Sequence, residues 1–367
     1  WLWLAAGYVL DIWFQLVPGK WIVDSDLASD MILANILNKE HSFFSYSWYY
    51  STEIKAVGLH WFYKLGLLIF PNDWHLARVF GMVIALLLYS VAVLLLTRCM
   101  GLGKIGVWMA GALLWPFGRR YLVYAIYGGY YLVYTFFYIL VLYFMFKSVE
   151  KSGKARIKWC ALACIVSLAA CLNGVKQLMV FQAPLILAVM ILLLLALSDS
   201  KKTDWRSALQ ACDTEVWLTI EVVATTFAGL VGYIIDTKVL AAHYAFKSFS
   251  GVTWNRFGMD WTLDRALMDF FHEFGYQDGV GVFHFSGIAS GVGLLIGAWV
   301  FFCIVRLVWR YKKLNVAQRL MTLLMLTMLA VCGIAYTYFG NYCQYFWLTC
   351  MPVAIAVMMI EIKTEDL

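Results

Sequence analysis

Asp24, Asp26 and Asp30 place three carboxylates within seven residues, directly after the first hydrophobic run of the chain. A carboxylate at a membrane surface can act as a general base that takes the proton of an attacking hydroxyl group. Helix capping is the competing explanation, because Asp26 precedes the amphipathic stretch 27–39 and is predicted as its N-cap, with Asp30 near the first turn. Capping does not explain the close pair, since neighbouring like charges repel unless a cation, a metal ion or a proton compensates them. We therefore predict that Asp24 and Asp26 are catalytic and partly buried.

The composition indicates that membrane helices position these carboxylates. The 367 residues are 63% hydrophobic and 14% charged, against about 25% charged residues in soluble domains. Such a chain is typical of a polytopic membrane protein. The net charge of +6 therefore does not indicate a nucleic-acid partner, and none is expected. The nine cysteines form no CxxC pair, so neither a zinc site nor a disulfide framework is predicted.

Hydrophobic segments predict about ten membrane helices. A bilayer core about 30 Å thick needs roughly 20 apolar residues per helix. The predicted spans are 1–17, 77–98, 104–117, 126–147, 158–172, 178–198, 216–236, 287–308, 318–338 and 344–361. Two long connections, 18–76 and 237–286, then fall on the same side of the membrane. The sequence thus predicts a single all-α membrane domain over residues 1–367, with these two structured loops contributing the site.

Each long connection is predicted to contain a helix. The run "IKAVGLHWFYKLGLLIF" stops before Pro71 and is too short and polar to span, so we expect it to lie along the membrane surface. In the second loop, a helix is predicted to begin near Asp260 or Thr262 and to end at Gly275. Four polar side chains near its end lack the histidine spacing of a metal site and are interpreted as solvated: His272, Glu273, Asp278 and His284.

The distribution of cations predicts the orientation. Fifteen cations fall in the connections 98–104, 147–158, 199–215 and 306–319: Arg98, Lys104, Lys147, Lys151, Lys154, Arg156, Lys158, Lys201, Lys202, Arg206, Arg306, Arg310, Lys312, Lys313 and Arg319. The short connections on the other side carry only Arg119, Arg120 and Lys176. The positive-inside rule assigns the cation-rich side to the cytosol. Both long loops, and the three aspartates, are therefore expected outside.

The few cations on the cation-poor side are candidate functional residues, because the positive-inside rule disfavours cations there. Lys176 lies alone in the tight connection "NGVKQ", the Arg119-Arg120 pair opposes the topology bias, and Arg256 lies in the second loop. Snorkelling to lipid headgroups is the alternative for the arginine pair. Further polar and aromatic side chains are predicted to contact substrate, with an interfacial aromatic belt as the alternative for the tyrosines: Asp30, Tyr49, Tyr50, Glu53, Tyr127, Tyr130 and Gln344.

Three stretches resemble the GT-C class of integral-membrane glycosyltransferases, which includes protein O-mannosyltransferases and the transferases that attach aminoarabinose to lipid A. The aspartate-bearing loop, "DSDLASDMILANILNKEHSFFSYSWYYSTEI", is similar to the first outer loop of uncharacterised bacterial members. The segment "NGVKQLMVFQAPLILA" resembles a G-x-R-x-x-x-x-x-x-P-L-x-x-A pattern, and "QYFWLTCMP" resembles a late R-Y-F-x-x-x-x-P stretch. Lys176 and Gln344 stand where these patterns have arginine, and the chain has fewer spans than is usual in the class.

The resemblance implies an inverting glycosyltransferase at the outer face of the plasma membrane. Its donor would be a sugar on a polyprenyl phosphate, and its acceptor a glycan, a lipid or a protein. Asp24 or Asp26 would be the base, and Lys176, Arg119, Arg120 and Arg256 would bind the donor phosphate. A Mg²⁺ or Mn²⁺ ion bridging the aspartates to that phosphate stays open, as some members need a metal and others do not.

Two other functions remain open from the sequence. A transporter or flippase of a lipid-linked or polar solute is favoured by Asp11 and Glu221, which lie inside predicted spans, where charges are usually functional or paired. The concentration of polar residues in the loops, and the lack of two related halves, oppose it. A polysaccharide polymerase or ligase would carry key arginines in a late outer loop, for which Arg256 and Arg265 are candidates.

Overall fold

The computed structural model describes residues 1–50, 54–200, 202, 204–245, 262–339 and 345–365, and it is all-α over these residues, with no β-strand among them. Eight helices are long and apolar enough to cross a membrane. The protein is thus a multi-pass helical membrane protein, as the composition predicted.

Most of the helices follow one another with short connections, and residues 40–59 form a longer one between two of them. In chain order they are α1 (Leu2–Leu16), α2 (Ser25–Lys39), α3 (His60–Ile69), α4 (Trp74–Cys99), α5 (Ile105–Ala112), α6 (Arg119–Tyr121), α7 (Leu132–Val149), α8 (Gly153–Cys171), α9 (Ala183–Asp199), α10 (Trp205–Ala211), α11 (Asp213–Ile234), α12 (Ala241–His243), α13 (Leu263–Glu273), α14 (Phe285–Trp309), α15 (Val316–Phe339) and α16 (Phe346–Glu365). The spans α7, α15 and α16 are the most buried, whereas α1, α11 and α14 expose most of their surface and form the periphery.

Two of the ten predicted spans are not among these eight helices. The segment 104–117 contains only the eight-residue α5. The segment 158–172 overlaps α8, which ends at Cys171; this helix is 19 residues long but carries Lys154, Arg156 and Lys158 in its first turns. The α8 helix packs against α7 and α11, so this half-polar helix belongs to the bundle although its composition differs from that of the eight apolar spans.

The segment 105–127 runs beside α1 as a broken helix. At one end of α1, Trp3 stacks on Trp115 with ring centroids 4.2 Å apart. At the other end, the Gln15 side-chain amide donates to the Ile126 carbonyl at 3.1 Å. Both segments therefore progress in the same direction, and the predicted crossing exists as two short helices joined at the sequence "WPFG" rather than as one span.

One end of the bundle gathers the cation-rich connections. The Asn315 amide donates to the Met100 carbonyl at 3.3 Å, and Lys312 pairs with Asp199 at 2.8 Å. These bonds join three of the four cation-rich connections that the sequence assigned to one side. Because residues at opposite faces of a bilayer cannot touch, the contacts support a common face for these connections. We call it the cation-rich end.

The other end, which we call the loop end, carries α2, α3 and α13. The backbone N–H of Tyr50 donates to the Ala245 carbonyl at 2.8 Å, which ties the first long loop to the second. The α3 helix ends one residue before Phe70, close to the predicted stop at Pro71. The α13 helix is preceded by Thr262 as its N-cap and is followed by Gly275, as predicted; Asp260 lies outside the described residues.

Candidate functional site

Asp24 lies at the loop end as the N-cap of α2. Its carboxylate accepts the Leu27 backbone N–H at 2.9 Å and the Tyr130 hydroxyl at 2.5 Å. The prediction that Asp26 caps this helix is therefore wrong, since Asp26 lies in the first turn. A capping aspartate needs only its own helix, but the second bond comes from a tyrosine 106 positions away. Burial and the bond to Asp24 raise the pKa of Tyr130, which keeps its hydroxyl a donor.

The three aspartates differ in burial, and the buried one is not one of the two that were predicted to be partly buried. Asp24 and Asp26 are exposed, so the expectation that they are partly buried is wrong. Asp30 is the buried member, at 7% exposure, and pairs with Lys55 at 3.2 Å. Burial raises the pKa of Asp30, although the Lys55 ammonium opposes the rise. Asp30 therefore holds the loop that carries Lys55, while Asp24 and Asp26 remain accessible to a partner from solution.

Five tyrosines connect Asp24 to the rest of the loop end. We call Tyr124, Tyr130, Tyr131, Tyr134 and Tyr345 the tyrosine cluster. Tyr124 lies 6.0 Å from Tyr130 and 4.8 Å from Tyr345 between ring centroids, and the hydroxyls of Tyr124 and Tyr345 are 3.4 Å apart. Tyr131 continues the series, 5.9 Å from Tyr345 and 6.0 Å from Tyr134. Two segments far apart in the sequence thus meet in one aromatic cluster, in which Tyr131 and Tyr134 are buried and the other three rings are partly exposed.

Lys176 lies at the far side of the tyrosine cluster. Its ammonium nitrogen is 5.7 Å from the ring centroid of Tyr134, a distance at which a cation is attracted to an aromatic face. Asn173 fixes the connection that carries Lys176, because its side chain accepts the Val57 N–H at 3.0 Å and also donates to the Val57 carbonyl. The structure therefore brings Asp24 and Lys176 to the same aromatic cluster from two different loops.

Arg120 is already paired with two acidic side chains. It pairs with Asp269 at 3.0 Å and with Glu273 at 3.2 Å, both on α13. Its guanidinium is also 5.9 Å from the ring of Tyr345, so this group borders the tyrosine cluster. The prediction that Glu273 is solvated is wrong, since its side chain is fully buried. Arg120 thus joins α6 to α13. The prediction that Arg120 is a cation available to a phosphate is therefore corrected to a structural role.

The two carboxylates on Arg120 differ in their protonation. Burial raises the pKa of Glu273 to about 8, against the attraction of Arg120. Burial also disfavours the charge on Asp269, but hydrogen bonds with His272, Tyr336 and Arg120 outweigh it and lower its pKa to about 2. The Tyr336 hydroxyl donates to Asp269 at 2.6 Å. Asp269 is therefore the ionised partner of Arg120 at neutral pH.

A close approach of backbones supports this ion pair. Gly275 has φ +100°, in the left-handed region that favours glycine, and a Cβ atom there would lie 2.2 Å from the Phe117 carbonyl oxygen. The end of α13 therefore contacts the chain directly before Arg120. A side chain at Gly275 would push α13 away from its arginine.

The other predicted site residues have different surroundings. Tyr50 and Tyr127 are buried, and the Tyr127 hydroxyl donates to the Gly19 carbonyl at 2.5 Å, so the prediction that these two face a substrate is corrected to a structural role. Tyr49 and Arg119 are exposed. Three of the predicted residues lie outside the described residues: Glu53, Arg256 and Gln344.

Two residues at the site were not found by sequence reasoning. Tyr345 contacts Tyr124, Tyr131 and Arg120, and thus lies at the centre of the cluster. Tyr345 follows Gln344 in the "QYFWLTCMP" motif, and its place in that motif could have identified it as a site residue. Gln177 follows Lys176 and is fully buried, and neither polar atom of its amide has a hydrogen-bond partner among the described residues. A buried amide without a partner is rare and costly.

Three π-helical turns lie at the loop end of the bundle: Leu122–Tyr127, Leu178–Gln182 and Ile235–Leu240. The first carries Tyr124, and the second begins two residues after Lys176. Turns of this kind are rare in proteins, and those that do occur are often at functional sites. The first two turns thus adjoin the tyrosine cluster, whereas Leu240 of the third packs against the first long loop.

The described residues contain no group of three or more His, Cys, Asp or Glu side chains arranged to hold a metal ion. No family model, curated protein or solved structure matches the chain. The site is therefore described by its geometry alone. Chemically, the site offers an exposed carboxylate that can accept a proton, a lysine that can bind an anion, and aromatic rings between them.

Proposed function

We propose that the protein is an inverting glycosyltransferase of the GT-C type, which moves a sugar from a polyprenyl-phosphate donor to an acceptor outside the cytosol. The observation that carries the proposal is the convergence of Asp24 and Lys176 on one tyrosine cluster. A single displacement at an anomeric carbon needs a base on one side of the sugar and a positive charge on the other, and these two side chains approach the cluster from different loops.

On the acceptor side, Asp24 or Asp26 takes the proton of the attacking hydroxyl group. The oxygen of that hydroxyl forms the new glycosidic bond while the bond from the anomeric carbon to the phosphate oxygen breaks. Because Asp24 and Asp26 are exposed, an acceptor from solution or from the membrane surface can reach them. The Tyr130 hydroxyl orients the Asp24 carboxylate and leaves the other carboxylate oxygen for the acceptor.

On the donor side, the leaving polyprenyl phosphate takes the electron pair of the broken bond. Lys176 acts as a point charge that stabilises this phosphate. Protonation of the leaving group is unnecessary, because the phosphodiester donor releases polyprenyl phosphate, and a phosphate monoester dianion is already a good leaving group. The tyrosine cluster lies between the two charged groups, and its partly exposed rings, those of Tyr124, Tyr130 and Tyr345, offer faces on which a sugar can stack. The prenyl chain would lie in the bilayer beside the spans.

Transport of a solute is the second candidate, and one observation favours it. Asp11 lies in the middle of α1 and is buried, and its Oδ2 atom has no hydrogen-bond partner among the described residues. Ionisable groups of this kind in membrane helices are often functional. A transporter would need Asp11 and would not depend on the exposed carboxylate of Asp24.

The test is sugar transfer by the Asp24→Asn, Asp26→Asn and doubly substituted chains, purified in detergent and given a radiolabelled polyprenyl-phosphate sugar. Removal of the base is expected to lower the transfer rate by about 10²–10⁴-fold, with folding and insertion unchanged because asparagine also caps helices. Lys176→Ala is expected to weaken donor binding more than it lowers the rate with saturating donor.

Asp73→Asn provides the matched control. Asp73 caps α4 as Asp24 caps α2, accepting the Leu76 N–H at 2.9 Å, and should retain full activity when substituted. Full activity in both single variants and in the double variant would remove the base assignment. Loss of solute movement in Asp11→Asn, with no transfer activity in the parent chain, would favour transport.

A further inference from the structure

A groove of about 630 Å³ opens at the cation-rich end, opposite to the tyrosine cluster. It lies between the ends of α9 and α14, and the turn Tyr311–Lys313 forms part of its wall. The proposed glycosyl transfer uses none of these residues. The groove is therefore independent of the proposed function.

One wall of the groove is apolar and faces outward. Leu195, Val308 and Trp309 line it, and all three are exposed, Trp309 at 89%. The helices that carry them, α9 and α14, are membrane spans. Exposed apolar side chains at the end of a span lie against lipid chains, and a tryptophan there is typical of the bilayer interface.

The polar wall is cationic. Arg310, Lys312 and Lys313 line the groove together with one acidic residue, Asp199. Lys312 pairs with Asp199 at 2.8 Å, whereas Lys313 is exposed and has no acidic partner among the residues that the structure describes. Arg310 contacts Glu361 only at 3.5 Å. The groove thus keeps a net positive charge after its internal pair is counted.

Capping of the turn does not account for these cations. Arg319 donates from Nε to the Tyr311 carbonyl at 3.1 Å and from Nη2 to the Lys312 carbonyl at 3.0 Å. The carbonyl groups of the turn therefore already have a cationic partner. The Tyr311 hydroxyl is buried and has no hydrogen-bond partner in the described part of the chain, and such a group calls for a partner from outside the chain.

We propose that this groove binds an anionic phospholipid of the leaflet at the cation-rich end. Its phosphate would lie among Arg310, Lys312 and Lys313, and its acyl chains along Leu195 and Val308. Basic pockets between membrane helices bind anionic headgroups in this manner. A zwitterionic lipid would gain the apolar contacts but not the net charge, so the groove selects for a negative headgroup.

The test is native mass spectrometry of the full chain in detergent, titrated with phosphatidylglycerol or with phosphatidylcholine of the same acyl chains. The parent chain is expected to bind phosphatidylglycerol more tightly. Lys313→Ala should weaken that binding about fivefold, and Lys312→Ala/Lys313→Ala about 25-fold, from the usual contribution of a lysine near an anionic lipid. Both lysines are exposed, so these variants should fold.

Lys151→Ala/Lys154→Ala is the matched control, because it removes two exposed lysines from the same end outside the groove. It should leave the affinity for phosphatidylglycerol unchanged. Equal affinity for the two lipids, an equal loss in the control, or unchanged binding in the groove variants would each overturn the proposal. Displacement of the lipid by millimolar inorganic phosphate would also overturn it, since the groove would then recognise phosphate alone.

Discussion

Asp269 and Glu273 share one guanidinium, yet their surroundings separate their pKa values. Both bond Arg120, but only Asp269 also receives the Tyr336 hydroxyl. Burial raises the pKa of Glu273 to about 8. At a pH below the ordinary pKa of a glutamate, Glu273 is protonated in both the folded and the unfolded chain. Between that value and about 8 only the unfolded chain ionises it, so stability falls as the pH rises.

Glu273→Gln should remove this loss. Glutamine keeps a neutral hydrogen-bonding side chain beside Arg120, so the variant should lack the decrease in stability between about pH 4.5 and pH 8. The difference at pH 8 is expected to be on the order of a few kcal/mol. Thermal unfolding in detergent from pH 5 to pH 8 measures it. Parallel curves for the variant and the parent would contradict the prediction.

Asp269→Asn provides the control for the same pair. The pKa of Asp269 is lowered to about 2, so its contribution is present above its ordinary pKa and is lost only as the pH falls toward 2. Between pH 5 and pH 8 the asparagine variant should be less stable than the parent, because Arg120 loses its ionised partner. Its stability should also fall less steeply with pH than that of the parent, because the Asp269 carboxylate itself raises the pKa of Glu273.

Single polar residues could be picked out from the sequence, but the residues that they contact could not. The cluster of three aspartates was visible, and so was the isolation of Lys176. Their tyrosine contacts were not, because Tyr130 and Asp24 lie 106 positions apart and no local pattern links them. The burial of Asp30 in place of Asp24 was also hidden, since it depends on how the loop with Lys55 folds back.

At the scale of elements, one asparagine side chain ties the first loop to the connection that carries Lys176. Asn173 makes two hydrogen bonds with the backbone of Val57. Asn173→Ala should cost about 1–3 kcal/mol locally, which corresponds to at least a several-fold faster hydrogen exchange at the Val57 amide. Exchange measured by mass spectrometry over residues 54–59 tests this.

Asn38→Ala is suited as a comparison for that experiment. Asn38 donates to the Lys64 carbonyl at 3.0 Å and lies in the same loop without contacting Val57. Its substitution should leave exchange at Val57 unchanged. If Asn173→Ala also leaves it unchanged, the loop is held by other contacts, and the position of Lys176 does not depend on this clamp.

The elements themselves were predicted where hydrophobicity is continuous and were missed where it is interrupted. Each of the eight apolar spans overlaps a predicted one, although the ends of the helices differ from the predicted bounds. The crossing at 104–117 was predicted as one helix, although Pro116 and Gly118 signal the break that the structure shows. The α8 helix begins at Gly153, before its apolar half, because hydropathy measures the membrane segment and not the helix.

At the scale of the whole molecule, the chain separates two chemistries at its two ends. The loop end gathers carboxylates, tyrosines and π-helical turns from segments that are remote in the sequence. The cation-rich end contains the groove between the ends of α9 and α14, with its three cationic side chains. Hydropathy and charge predicted this polarity, because cations sort by side. Which side chains meet at each end depends on helix packing and was not predictable.

The proposed transfer requires the loop end to lie outside the cytosol, and labelling of single introduced cysteines tests that orientation. Ser25 adjoins Asp24, and Lys151 lies in a cation-rich connection; both are exposed. Ser25→Cys should react with a membrane-impermeant maleimide in intact cells, and Lys151→Cys only after permeabilisation, because the positive-inside rule places them on opposite sides. Labelling of the parent chain measures the reaction of its nine native cysteines, which is subtracted. The reverse pattern would place Asp24 in the cytosol, where an acceptor outside the cell could not reach it, and the glycosyl-transfer proposal would fail while the fold and the lipid groove would stand.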